Sequence, residues 1–222
     1  MIPMNTACFL FGFRNIRKEE IEGKRILEVG ACDVNGSLRP LIESYGPGEY
    51  VGADIAEGPG VDVICDAAQL IRRFGEGSFD AVICTEMIEH VRDWRTVVHN
   101  LKAVCKKGGV LLVTTRSPGF LYHGWPYDFW RYELQDIERI FGDFRIERLE
   151  PDPRNGVLLK CVKPADFSEK EPGAEFALYS IVTRSRTADI TDRQLRSPVF
   201  RSRIFVQRLK EFLIKHIASI PV

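Results

Sequence analysis

The sequence lacks a net charge, and it lacks any long apolar run. Its 222 residues carry 31 basic and 31 acidic side chains, so the overall charge gives no argument for binding nucleic acid or a membrane. No stretch approaches the roughly 18 consecutive apolar residues of a membrane-spanning helix. The hydrophobic share of 45% and the charged share of 28% are ordinary for a folded protein. The length suggests one domain, with room for an appendage.

The six cysteines form no C-x-x-C pair. Several fall in apolar runs such as AVICT and LLKCV, where a free cysteine packs as a small hydrophobic residue. The pattern therefore favours reduced cysteines and a cytoplasmic location. The amino-terminal stretch MIPMNTACFLFGFRN has an apolar patch but no basic residue before it, so we expect a lead-in helix rather than a signal peptide.

From residue 24 onward, short apolar runs alternate with helical patterns. The runs are KRILEVG, EYVGADI, VDVICD, FDAVICTE and VLLVTTRS, and the clearest helical pattern is WRTVVHNLKAVCKKGG. Buried runs that alternate with helices are typical of a parallel sheet covered on both faces. FRIERLEPD and GVLLKCVKP then predict two further strands, close enough in sequence to form an antiparallel pair.

After Pro164 the chain becomes polar and loses its strand pattern. We therefore expect a main domain over residues 1–163 and an extension over residues 164–222. From residue 193 to the end there are seven Lys or Arg and one acid, with apolar residues at helical spacing. Such a basic amphipathic helix packs on its own protein, across a homodimer, or on a peripheral partner or membrane surface; self-packing is our leading expectation.

The stretch ILEVGACDVNGSLRPL predicts a strand, a turn at Gly30 and a helix start. The glycine spacing differs from the G-x-G-x-x-G of dinucleotide enzymes, and no Tyr-x-x-x-Lys pair follows, which disfavours an NAD(P)-binding oxidoreductase. Glu28 and Asp33 would repel a pyrophosphate but suit a cationic amino acid. Asp54 ends the next run, where a carboxylate can accept both hydroxyls of a ribose, and Asp66 ends the third, where it can accept from an adenine amino group.

ILEVGACDVNGSLRPL is followed, in order, by YVGADI, DVICDAAQL, FDAVICTEMIEHV and LKAVCKKGGVLLVTT. Together these stretches resemble the class I S-adenosylmethionine-dependent methyltransferases, and most of all their type 11 branch. The resemblance spans about residues 22–163. It implies a Rossmann-like α/β fold with helices on both faces of a seven-stranded sheet of order 3-2-1-4-5-7-6, strand 7 antiparallel. It also implies S-adenosylmethionine as cofactor. Cys32 stands where the family's first motif has a second glycine, which we interpret as variation.

The resemblance assigns cofactor contacts by position. Glu28 and Gly30 would line the methionine end, Asp54 would bind the ribose, and Asp66 and Ala67 would face the adenine. Thr85 would lie under the cofactor, and Ala31 and Ile55 would also contact it.

The stretch TEMIEHVRDW places Glu86, Glu89 and His90 at spacings that share one face of a helix. An E-x-x-E-H here resembles two metal-dependent groups of the family, the small-RNA 2′-O-methyltransferases and the ubiquinone-pathway O-methyltransferases. In them a divalent ion holds the acceptor hydroxyls, and His123 would be the fourth ligand. Three roles stay open: structural, general base, or metal ligand. We expect no metal.

The aromatic stretch FLYHGWPYDFWRY predicts a loop at the acceptor pocket. Its Tyr122, Trp125 and Tyr127 are candidates for stacking on a sugar or planar ring, whereas Phe129 and Trp130 also suit packing under the sheet edge.

An oxygen acceptor on a small molecule, such as a saccharide or natural product, is favoured because bases are available and the Asn/Asp-Pro-Pro-Tyr/Phe motif of nitrogen methylation is missing. The candidate catalytic residues are His90, His123 and Glu86. A non-catalytic cofactor-binding scaffold is the remaining alternative.

Overall fold

The computed structural model describes residues 6–34, 36–124 and 127–217. Its helices are α1 (Thr6–Asn15), α2 (Arg39–Ser44), α3 (Leu70–Phe74), α4 (Trp94–Val104), α5 (Leu134–Ile140), α6 (Asp192–Leu195) and α7 (Pro198–Ile217). Its strands are β1 (Arg25–Val29), β2 (Glu49–Asp54), β3 (Val63–Ile64), β4 (Phe79–Thr85), β5 (Cys105–Arg116), β6 (Trp130–Arg131), β7 (Arg145–Asp152), β8 (Gly156–Val162), β9 (Leu178–Ser180) and β10 (Ser185–Thr187). None of the helices in these ranges is long and apolar enough to cross a membrane.

Seven strands form the main sheet, in the order β3-β2-β1-β4-β5-β8-β7. The first five run parallel, and β8 lies antiparallel between β5 and β7. Since β7 and β8 are the sixth and seventh strands of this sheet along the chain, the predicted order is confirmed.

Each face of the sheet packs against its own helices, because successive side chains of a strand point to opposite faces. Ile26, Ile83 and Leu112 belong to the cluster that holds α1 and α2. Leu27 and Val82 belong to the larger cluster, which holds α4 and α5. The carboxyl ends of β1, β2 and β4 meet at one edge, where the predicted site residues follow the strands.

Two expectations about local structure are wrong. Residues 164–222 keep some strand structure, and the aromatic stretch is more than a loop, because β6, β9 and β10 form a second, three-stranded sheet. Strands of two or three residues are too short to show a period-two pattern. The residues around this small sheet are buried in the larger cluster together with α4; they include Phe176, Leu178, Val182, Ile190 and Phe200.

Candidate active site

Gly30 makes the turn after β1 at φ 79°. A β-carbon there would come within 2.7 Å of Met87 Cγ, so a side chain would clash as well as strain the backbone. The amide nitrogens of Gly30 and Ala31 donate to the carbonyl oxygen of Ala53, at 2.9 and 3.2 Å. The turn is therefore fixed against the end of β2, and the missing side chain at Gly30 leaves room for Met87.

Asp54 shapes the same loop from the end of β2. Its Oδ2 accepts the Cys32 amide at 3.1 Å, and its Oδ1 accepts the Ala56 amide at 3.3 Å. A carboxylate offers about four acceptor positions, so two remain for a ligand's hydroxyls. The neighbouring Ile55 is 63% exposed and presents an apolar surface beside them.

Glu28 is buried within the sheet rather than open to the edge. Its carboxylate accepts the Tyr50 hydroxyl at 2.7 Å and the Ser37 hydroxyl at 3.0 Å. The pKa of Glu28 is raised above its ordinary value, because burial outweighs the lowering effect of these two hydroxyl donors. The carboxylate thus ties the start of α2 to β2, and its contact with a cofactor stays a prediction.

The other cofactor candidates lie along the same edge. Asp66 is exposed, and its Oδ1 accepts the Ala68 amide at 2.8 Å, which caps the turn Ala67–Gln69. Ala67 is buried under this turn. Thr85 ends β4 beside Thr114 of β5, and the chain turns away directly after it.

The stretch after β4 is not the predicted helix. Glu86 has a φ of 55°, in the left-handed region, and only Ile88–His90 form a short 3₁₀ turn. A left-handed residue breaks helical periodicity. Glu86 and Glu89 therefore contact different groups instead of sharing a face.

Glu86 is held away from the other candidates. Its Oε2 pairs with Arg116 Nε, and its Oε1 accepts the Thr114 hydroxyl at 3.0 Å, with Cys8 Sγ of α1 3.6 Å away. Arg116 also contacts Asp152 at 3.3 Å. Burial, together with the charge of Glu89, raises the pKa of Glu86 to about 7 against the opposing effect of Arg116.

Glu89 and His123 face each other across the site. Glu89 is buried, and its Oε2 accepts the Thr115 hydroxyl at 2.9 Å. His123 Nε2 lies 3.6 Å from Glu89 Oε1, and its Nδ1 lies 2.9 Å from Asp128 Oδ2. Burial lowers the pKa of His123, but hydrogen bonding and charge from Asp128 and Glu89 outweigh it and raise the pKa to about 9. His123 is therefore a cation at neutral pH.

His90 lies beside Glu89 and His123 in the candidate site. Its Nδ1 lies 2.6 Å from the carbonyl oxygen of Tyr127, and a carbonyl only accepts, so Nδ1 carries the hydrogen. Its Nε2 then holds a free lone pair, able to accept a proton or to bind a metal. The rings of His90 and His123 lie 4.6 Å apart between centroids.

Three of the four metal candidates fit a divalent ion. Glu89, His90 and His123 each offer one ligand atom within 4.8 Å of the others, and Glu86 is not in this group. Among the described side chains, Glu89 Oε1 is buried without a hydrogen-bond partner. A carboxylate with two imidazoles is a donor set that transition metals accept.

A buried ion pair that the sequence analysis missed organises the aromatic segment. The guanidinium of Arg131 contacts both oxygens of Asp128, at 2.5 and 2.7 Å, and donates to the carbonyl oxygens of Phe120 and Leu121. Asp128 in turn holds His123. The signal was present in the run DFWR, where an acid and a base stand three residues apart.

The predicted acceptor residues differ in their surroundings. Tyr122 is half-buried against Phe200 of α7, with ring centroids 6.0 Å apart. Tyr127 is 57% exposed and stacks on the buried Phe129. Phe129 and Trp130 are both buried as packing residues. Trp125 lies outside the described residues, so its role stays a prediction.

Comparisons with known proteins agree on a family. A family model described as "Methyltransferase domain" matches residues 9–148. The chain is 30% identical over 112 residues to the ubiquinone biosynthesis O-methyltransferase of Chromobacterium violaceum, covering 45% of this chain and 47% of the relative. The same enzyme of Idiomarina loihiensis is 30% identical over 117 residues, covering 47% of each. The aligned region therefore spans about half the length of these curated relatives.

Solved structures share the fold at low identity. The complex of the Haloferax volcanii Trm112 methyltransferase activator with a putative methyltransferase matches with a TM-score of 0.59 at 14% identity, over 74% of this chain and 92% of that one. The 1,6-didemethyltoxoflavin-N1-methyltransferase of Burkholderia thailandensis, bound to S-adenosylhomocysteine, matches with a TM-score of 0.54 at 13% identity, over 72% and 77%.

Proposed function

The chain belongs to the class I S-adenosylmethionine-dependent methyltransferases, and from that premise we propose that it methylates an oxygen of a small-molecule acceptor. The proposal rests on His90, whose Nε2 is free to take a proton beside the carboxyl end of β4. The curated relatives, which are named as O-methyltransferases, support an oxygen acceptor. A saccharide or a planar aromatic would suit the exposed ring of Tyr127.

The cofactor supplies a methyl group already activated on a sulfonium, so the protein mainly aligns the acceptor and removes its proton. We assign the cofactor to the turn at Gly30 and Ala31, with the remaining acceptor positions of Asp54 toward the ribose. Ile55, Asp66, Ala67 and Thr85 line the rest of the edge in this proposal. In this proposal Glu28 supports the site by holding α2 and β2 together, because its carboxylate accepts the Ser37 and Tyr50 hydroxyls.

His90 is the proposed general base. The Tyr127 carbonyl fixes its tautomer, and Nε2 accepts the hydroxyl proton as the oxygen takes the methyl group. His123 suits that role less well, because its raised pKa favours the protonated form at neutral pH. In this proposal it stabilises negative charge that develops on the acceptor oxygen. Glu86 serves to hold Arg116 rather than to move a proton.

A divalent ion is the second candidate for activating the hydroxyl. Its support is Glu89 Oε1, which is buried without a hydrogen bond and lies in one group with His90 and His123. Such an ion would be held by these three residues and would lower the pKa of a bound hydroxyl. It would first have to displace the proton of His123, because metal ligands bind deprotonated.

One experiment separates the two candidates. Purified protein is incubated with methyl-labelled S-adenosylmethionine and a panel of phenols, catechols and sugars, before and after treatment with a chelator. We expect transfer that the chelator leaves unchanged. Loss of transfer that Mg²⁺, Mn²⁺ or Zn²⁺ restores, with matching calorimetric binding of MnCl₂ alone, would establish the ion instead. Cofactor binding without transfer to any acceptor would favour the scaffold alternative.

A further inference from the structure

The outer face of α1 is apolar, although a helix on a protein surface normally turns polar residues outward. Cys8, Phe11 and Gly12 form its buried side. Phe9 and Phe13 are 38% and 56% exposed, and Leu10 is 45% exposed. Helical spacing places residues 9, 10 and 13 together on the outer face, so they form one exposed apolar stripe.

Arginines extend this stripe toward a cavity at the sheet edge. Arg14 follows Leu10 at helical spacing, and Arg17 lies just beyond the end of α1. With Arg145 and Arg148 of β7 they line a cavity of about 450 Å³. The buried Lys160 lies at its floor, with Nζ bonded to Glu20 at 2.7 Å.

The cavity carries an excess of positive charge. Five cations line it or its floor: Arg14, Arg17, Arg145, Arg148 and Lys160. Three acids pair with them: Glu19, Glu20 and Glu147. The excess is therefore two charges, in a chain whose total is zero. Within the described part of the chain, the side chains of Arg14 and Arg148 bond to carbonyl oxygens and form no ion pair.

We propose that α1 and the edge of β7 dock the protein on an anionic phospholipid surface. Apolar side chains beside arginines are what such a surface recognises, because the rings enter the boundary of the bilayer while guanidinium groups meet lipid phosphates. A soluble anion would explain the arginines but leave Phe9 and Phe13 exposed. A second copy fits less well, because an isologous two-fold contact would bring the same arginines toward each other.

The docking helix also forms a wall of the candidate active site. Cys8, on the buried side of α1, places its Sγ 3.5 Å from the Thr114 hydroxyl and 3.6 Å from Glu86 Oε1. A membrane that engages the outer face of α1 would therefore lie one helix away from Glu86. The proposal does not depend on the chemistry at His90.

The test is flotation of the full chain with vesicles of phosphatidylcholine alone and of equimolar phosphatidylcholine and phosphatidylglycerol. We expect binding to the anionic vesicles that salt weakens. The pairs Phe9→Ser with Phe13→Ser, and Arg14→Ala with Arg148→Ala, should each lower partitioning by about tenfold or more.

Two single-site controls make the same kinds of change elsewhere on the surface. Ile64→Ser removes an apolar side chain that is 64% exposed, and Arg72→Ala removes an exposed arginine of α3. Both should bind as the unchanged protein does, and all variants should keep its melting temperature. The proposal fails if the unchanged protein does not float, if the test pairs bind like the controls, or if inorganic phosphate binds at Arg14 while vesicles do not. It also fails if Phe13→Ser splits a dimer in the absence of lipid.

Discussion

Asp54 accepts two backbone amides and, in our proposal, two ribose hydroxyls. Asp54→Ala should therefore lower the affinity for S-adenosylmethionine at least tenfold, since hydrogen bonds to a charged group contribute roughly 1.5–3 kcal/mol each before compensation. Asp54→Asn keeps one acceptor oxygen and should lose less. Calorimetric titration of the folded variants measures both, and unchanged affinity in Asp54→Ala would remove this residue from the cofactor site.

His90→Ala should lower turnover by roughly 10²–10⁴ while cofactor affinity stays the same, because the change removes only the proton acceptor. His99→Ala is a matched control, since His99 pairs with Glu169 outside the candidate site. Steady-state transfer rates and a cofactor titration are the measurements. A variant that transfers methyl groups at the normal rate per folded molecule would leave His90 a structural role.

His123 links stability to pH. Its pKa rises from 6.5 to about 9 on folding, so the stabilisation is fully present below pH 6.5 and is lost as the pH rises through about 9. The stability advantage of the unchanged protein over His123→Gln should therefore shrink between these values. Denaturant unfolding of both proteins at pH 6 and pH 9.5 gives the difference, and an advantage that grows with pH would contradict this environment for His123.

For single residues, the sequence predicts those that stand in motifs and misses those that hold the motif residues in position. Gly30 and Asp54 are predicted because strand ends mark them, and the structure places them at those ends. Arg116 is missed because its partner Glu86 becomes a neighbour only when the strands are assembled, whereas Asp128 left a signal in the run DFWR.

Among the elements, α7 contacts the rest of the molecule through Phe200 and Gln207 of its first half. Phe200 is buried against Tyr122, and the Gln207 side-chain amide donates to the Tyr122 carbonyl. Phe205, Val206 and Leu209 are exposed, and we propose that this surface pairs with a second copy.

Truncation after Gln207 tests the pairing while keeping the contacts with Tyr122. The shortened chain should stay folded and become monomeric, because part of the exposed apolar surface and the rest of the helix are gone. Light scattering measures the mass of both forms. If the full chain is already monomeric, or if the mass per particle does not change beyond the deleted residues, α7 does not mediate self-association.

The elements that the sequence could predict are those with enough length to show a period. Six strands of the seven-stranded sheet and α4 have such patterns, whereas β3, with two residues, was predicted from the apolar run VDVICD around it. The turn after β4 was predicted as helix, because spacing alone does not reveal the left-handed backbone of Glu86. The small sheet escaped prediction because β6 has only two residues and β9 and β10 have three each.

For the molecule as a whole, we propose that residues 1–163 bind the cofactor while residues 164–222 complete the same core. Leu178 is buried in the cluster that includes α4. Leu178→Ala should lower the free energy of unfolding by about 2–5 kcal/mol and keep a single transition. Ile64→Ala, at an exposed position, should change it by less than about 0.5 kcal/mol. Two separate transitions in thermal unfolding would mean that the extension is a domain of its own.

The strand order of the large sheet was predictable because five motifs, in the same order along the chain, resemble those of the methyltransferase family. The position of the extension was not, because a polar segment with short strands carries no signal of what it covers. Its buried residues, such as Phe176 and Ile190, are isolated apolar residues in the sequence. Only the structure shows which surface they pack against.

The shared core has a consequence for how the protein is made. Trp130 of β6 is synthesised long before Tyr179 and Ser180 of β9, which pair with β6, and Phe200 follows later still. While the ribosome is still adding these residues, the apolar surface around α4 and β6 lacks its cover. A chain stalled or cut near residue 170 would present that surface to chaperones and proteases, so the cell can recognise a copy that still lacks the covering residues from Phe176 to Phe200.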